Sequence, residues 1–105
     1  GEYGFIFDST LNDFISGEIE YWMVKCYEET KPDVIFMEGQ SALQNPSGPC
    51  GTELLISGDA DVVVLQHHPT RQYFQGCEGY KRKIPTLAQE IAIIKAYGFP
   101  TIAVT

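Results

Sequence analysis

A chain of 105 residues, 44% hydrophobic, has material for one globular core and no visible internal repeat. Its net charge of −7 argues against a general nucleic-acid binder, whose footprint is basic. No apolar run approaches the roughly 20 residues that cross a bilayer, and no signal-peptide pattern opens the chain, so a cytoplasmic setting without membrane or nucleic-acid partners is expected.

The three cysteines are an odd number without the spacing of a disulfide scaffold, and reduced thiols are expected. Cys26 falls in a helical pattern; Cys50 and Cys77 fall in loops. Charge is unevenly placed: residues 1–70 carry 2 basic and 12 acidic side chains, residues 71–105 carry 5 and 2. Arg71, Lys81, Arg82 and Lys83 share one loop. An acidic chain that gathers its cations this way either binds an anion there or exposes a solvated loop.

In chain order, Gly4–Phe7 is a short apolar piece, and Asp8-Ser9-Thr10 reads as a helix N-cap signal. Leu11, Ile15, Ile19, Trp22 and Cys26 then recur every three or four residues, the apolar stripe of an amphipathic helix. Pro32 ends that helix near Thr30. Gly17 inside it marks either a close packing contact or a break. Asp33–Met37 reads as a first buried strand, delivering Glu38 and the turn-rich loop Asn45–Gly51. Thr52–Ser57 predicts a short helix closed by Gly58.

Asp61–Gln66 reads as a second strand, a continuous apolar run of the kind found in parallel sheets covered on both faces. His67–Ile84 shows no clear period and is long enough to be functional or disordered. Pro85 opens a helix over Thr86–Tyr97, with Leu87, Ala88, Ile91 and Ile94 toward the sheet and Gly98 closing it. Thr101–Val104 is the third strand. A helix in each strand-to-strand step demands parallel strands. The expected fold is a three-layer α/β parallel sheet, Rossmann-like. Three strands would leave both sheet edges open, so these residues are expected to be the distal half of a larger domain, or to be completed by another chain.

Parallel strands bring the loops after Met37, Gln66 and Val104 to one edge. That gathers Glu38, Gln40, Ser41 and the Asn45–Gly51 loop near His67, His68 and Arg71. An acid after an apolar strand resembles a Walker B carboxylate, which holds Mg²⁺ or orients water; the other reading is a carboxylate capping a tight turn. Gly48 and Gly51, with Asn45 and Ser47 beside them, either offer amides to an oxyanion or make a turn needing positive φ. His67-His68 could supply a general acid/base or a metal ligand, and at most one should face the site because neighbours on a strand point opposite ways. Arg71 suits a phosphate or carboxylate through its planar fork. Tyr73, Phe74 and Tyr80 read as packing or interface residues. The chain has no G-x-x-x-x-G-K-[ST], so any phosphate cradle of that kind must lie outside it.

Taken together, Glu38-Gly39-Gln40-Ser41-Ala42-Leu43, Asn45-Pro46, Leu65-Gln66-His67-His68-Pro69-x-Arg71 and Ile84-Pro85 resemble the carboxyl-terminal P-loop domain of the D-glutamate N-acetyltransferase-like family. The resemblance runs from about Phe5 to Thr105. More distantly, the strand-Glu-Gly layout is similar to dethiobiotin synthetase-like ligases. The resemblance implies a P-loop NTPase-like fold whose P-loop precedes Gly1, with Glu38 at the Mg²⁺ and phosphate position. It also implies acyl or phosphoryl chemistry on a small amino acid, in an N-acyltransferase or ligase-like enzyme. On that reading Glu38 and His67 are catalytic, and Gln40, Ser41, Asn45, Ser47, Gly48, Gly51, His68 and Arg71 bind an anionic small-molecule substrate. Mg²⁺ and nucleotide belong to the full-length protein, and residues 1–105 alone should be inactive and hold neither tightly. The alternative is a non-catalytic assembly module, with residues 67–84 as the interface of a homo-oligomer.

Overall fold

The computed structural model describes residues 2–105. Helix α1 spans Asn12–Thr30, α2 Thr52–Ile56 and α3 Leu87–Ala96; strands β1 (Val63–Leu65) and β2 (Thr101–Val104) form a parallel two-stranded sheet. The β1–β2 pairing with α3 between them is the unit that the alternation of strand and helix patterns demanded. One extra residue, Ile102, interrupts the register, since Val63 pairs with Thr101 and Val64 with Ala103.

Helix α1 follows its apolar stripe only in part. Ile15 and Ile19 are buried, Trp22 and Cys26 half-buried, and Leu11 lies exposed as the N-cap. The Asp8-Ser9-Thr10 signal does not cap this helix. Phe7–Ser9 forms a 3-10 turn, and the Ser9 and Thr10 hydroxyls both donate back to the Ile6 carbonyl, at 3.3 and 2.8 Å. Those side chains serve the turn and leave the helix to begin at Asn12 without a side-chain cap. Gly17 neither packs closely nor breaks the helix: a methyl group there would meet nothing. The helix ends at Thr30 as expected, with Lys31 left-handed (φ 47°) ahead of Pro32, which disfavours the right-handed helical region for the residue before it. Near the chain's start the Tyr3 hydroxyl donates to Glu29 at 2.8 Å, and that carboxylate acceptor pushes the phenol up to about 12.

The largest departure concerns Asp33–Met37. The segment runs without helix or turn from Val34 onward, but no strand pairs with it, and Val34 and Phe36 are 64% and 88% exposed. A strand is defined by its ladder, and an apolar run with no neighbour remains an unpaired stretch whatever its β-propensity. The sheet therefore has two strands rather than three, and its covering is one-sided: Val64 and Ile102 stay largely exposed while Ile94 of α3 is sealed at 2%.

The closing of α2 is also different from the expectation. Ser57 is its C-cap, and the left-handed residue is Asp59 (φ 46°), not Gly58. Gly58 is required for another reason: a Cβ there would collide with the Leu54 carbonyl and the Met37 thioether. Helix α3 is the best-made element. Thr86 is its N-cap in a full capping box, its hydroxyl accepting from the Gln89 amide at 3.3 Å while Gln89 Oε1 accepts from the Thr86 amide at 2.9 Å. Pro85 thus sits just before the cap. Gly98, at φ 99°, turns the chain into β2.

Candidate functional site

A cavity of about 620 Å³ opens between the 37–43 segment, β1 with the residues that follow it, and α3. Its wall carries Glu38, Gln40 and Ser41 from the first loop, His67, His68 and Arg71 from the second, and Gly51 at the start of α2. Leu43, Leu55, Phe74, Ile84 and Ile94 supply its apolar floor. The size suits a small organic ligand, and so does the pattern of an apolar lining with a few convergent polar groups.

The loops reach this position for identifiable reasons. The His67 amide donates to the Thr105 carbonyl at 2.8 Å, so the parallel ladder is prolonged to the point where the chain turns toward Arg71. A tight turn then forms, with the Arg71 amide donating to the His68 carbonyl and Thr70 Oγ1 3.1 Å from His68 Nδ1. Both histidines line the cavity, half-buried His67 and exposed His68, against the expectation that only one would. The strand has ended by Leu65, and beyond it the alternation of side chains no longer holds.

Asn45, Ser47 and Gly48, expected among the anion-binding residues, are not on the wall. They close a turn among themselves and with Ser41: Asn45 Nδ2 donates to Ser41 Oγ at 2.8 Å, and its Oδ1 accepts from the Ser47 amide at 3.0 Å. The Gly48 amide donates to the Asn45 carbonyl. Gly51 does line the cavity and takes φ 117°, the turn alternative weighed for it. Its helix has only five residues.

The 67–84 loop is built around its own small core. Phe74 and Cys77 are buried, Tyr73 bridges to Lys83 in antiparallel fashion, and Glu78–Tyr80 makes a 3-10 turn. Ser47 Oγ lies 3.4 Å from Cys77 Sγ, which ties the two loops together. Lys81, Arg82 and Lys83 are exposed and do not line the cavity, so of this cation cluster Arg71 alone stands at the wall.

Sequence reading passed over Glu90, the buried charged residue of the structure at 8% exposure. It lines the same cavity from α3, and its Oε1 accepts from Gln44 Nε2 at 3.1 Å. The signal was present: Glu90 follows Leu87 by three residues and precedes Ile94 by four, on the apolar stripe. A second cavity of about 370 Å³ lies on the other side of the Met37–Gln40 stretch, walled by Tyr3, Phe5, Trp22, Met23 and Leu54. Among the described residues, no three His, Cys, Asp or Glu side chains cluster closely enough to hold a metal ion by themselves. Magnesium commonly takes one carboxylate and completes its shell with phosphate oxygens and water, a demand that exposed Glu38 on the cavity wall fits.

Compared with known families, residues 1–105 match the P-loop domain described as a domain of unknown function, DUF1611 (DUF1611_C). The chain belongs to this family. No curated protein and no solved structure matches it. The DUF1611 match agrees with the mixed α/β architecture and the parallel strand pair. It covers a stretch in which the lysine-bearing G-x-x-x-x-G-K-[ST] pattern does not occur. Within the DUF1611 domain, no described helix is long and apolar enough to cross a membrane.

Proposed function

We propose that this chain forms one wall of a nucleotide- or phosphate-binding site in an α/β enzyme domain, one that transfers an acyl or phosphoryl group to a small amino acid. The observation that carries the reading is the single cavity onto which Glu38, His67, His68 and Arg71 converge from separate loops. In this assignment Arg71 grips an anionic group bidentately, and Glu38 would hold Mg²⁺, which would offset negative charge on a phosphate. His67 exchanges the proton of the reacting group as its general acid/base. The phosphate-cradling loop comes from outside residues 1–105, in the same protein or another chain. Membership of a P-loop family, in a chain without that motif, supports this division.

Two measurements test the reading. Residues 1–105 alone should bind Mg-ATP no tighter than about 1 mM, near −4 kcal/mol, as seen by calorimetry; micromolar affinity would place the phosphate grip within them. In the full-length protein, Arg71→Lys should weaken phosphate-bearing ligands at low salt, because a point charge does not reproduce the planar fork. Equal affinity in the two proteins, within about 0.5 kcal/mol, would return Arg71 to a solvated surface. A second reading, an assembly module, draws on Tyr80, which is 87% exposed at the tip of the 67–84 loop. It predicts that Tyr80→Ser changes the oligomeric state in sedimentation while Glu38→Gln leaves it alone.

A further inference from the structure

Glu90 poses a physical problem that its surroundings do not solve. A carboxylate removed from water is costly unless cations or several donors replace the lost hydration. Glu90 is 92% buried by the measure of its 8% exposure, yet among the described residues no Lys, Arg or His forms an ion pair with it. Gln44 supplies one hydrogen bond, to Oε1. An ionised carboxylate has about four acceptor sites, and Oε2 makes no hydrogen bond among the described residues, although it is not sealed off and stays open to the cavity. Its own amide is committed to the Thr86 carbonyl at 3.1 Å. The position in the first turn of α3 offsets part of the burial cost through the helix dipole but brings no donor to the side chain. As a tether for Gln44 alone, a neutral amide oxygen would suffice and the charge would be a liability.

What does lie next to Glu90 is the cavity. We propose that Glu90 is a ligand-binding residue of this cavity, accepting hydrogen bonds from the positively charged amino or amidino group of a small molecule. Gln44 fixes the carboxylate through Oε1 and leaves Oε2 for the ligand. The same wall carries Arg71, a cation with no carboxylate partner among the described residues. The complementary ligand therefore has separated charges, its anionic end toward Arg71 and its cationic end toward Glu90. This assignment rests on the cavity's being the ligand site proposed above, but it does not require that ligand to be a nucleotide.

The test uses the full-length protein, nuclear magnetic resonance, and two probes that differ in one group: 4-aminobutyrate and glutarate. The side-chain amide of Gln44, assigned with a Gln44→Ala variant, reports on Glu90. The expected result is that 4-aminobutyrate shifts the Gln44 amide saturably, whereas glutarate does not. Glu90→Gln should weaken 4-aminobutyrate at least tenfold and leave glutarate within twofold. A Gln44 amide that ignores 4-aminobutyrate, or a Glu90→Gln protein that binds it within twofold of wild type, overturns the assignment. Should Glu90→Gln fail to fold, the wild-type response of Gln44 decides by itself. Mg-ATP titrated in parallel separates the two ideas. A protein that ignores Mg-ATP but passes the amine test loses the nucleotide reading and keeps Glu90, and the opposite pattern removes Glu90 alone.

Discussion

Residues 86–104 and residues 33–51 each combine an apolar run with turn or capping signals, yet they fold to different degrees. In the first region every level agrees: a capping box starts α3, Ile94 is sealed at 2% exposure, Gly98 turns the chain, and Thr101–Val104 finds β1 as a partner. In the second, Val34–Met37 stays unpaired, Phe36 is 88% exposed, and the loop beyond it is held by the Asn45 turn and the Gln44 bond. A helix satisfies its backbone within itself, whereas a strand depends on a neighbour. Apolar sequence is therefore sufficient evidence for burial only where the partner is also present.

Substitutions can break or sharpen this contrast. Ile94→Ala should have the largest effect, a loss of about 3 kcal/mol in denaturant unfolding, because it deletes a buried branch and leaves a void under the sheet. A loss below about 1 kcal/mol would mean that the α3–β2 half is as loosely held as the other. Gly58→Ala tests the close approach by which the end of α2 meets Met37 of the weaker region. A methyl group would press on the Leu54 carbonyl, which as helix backbone has little room to yield, and about 2 kcal/mol of destabilisation is expected by the same assay. Thr86→Ala removes the capping hydroxyl and should cost about 1 kcal/mol, read as a lower unfolding midpoint with an unchanged denaturant slope. Phe36→Ala should move the stability of residues 1–105 by no more than about 0.5 kcal/mol. If the same change in a longer form of the protein costs several times more, the side chain is covered there.

The contrast also explains what could be read in the sequence. Helices α1 and α3 and strand β2 were legible because three-to-four periodicity, Pro32, Pro85 and Gly98 mark them locally. The T-x-x-Q of Thr86–Gln89 is a capping-box pattern in its own right, although Pro85 just before it also reads as a helix start. Pairing of Val34–Met37 was not legible, since a ladder depends on residues distant in sequence. For the candidate site, topology placed Glu38, Gln40 and Ser41 beside His67, His68 and Arg71 through a parallel strand at Asp33–Met37 that does not pair, although all six residues line the cavity. It could not show that Asn45 turns inward on Ser41, nor that Lys81–Lys83 point their charge elsewhere. Glu90 escaped notice because first-turn acids on helices are common and most are solvated.

The three thiols are placed so that their chemistry can time motions of the chain. Cys26 is half-buried on α1, while Cys50 and Cys77 are each 6% exposed in the two loops joined through Ser47. A thiol reagent should therefore reach Cys26 first, and modify the other two only when the loops part from the body of the protein. Cys50 also lies on the wall of the larger cavity. Its alkylation rate then becomes a clock for opening at that wall, and any compound that settles inside should slow Cys50 while leaving Cys26 untouched.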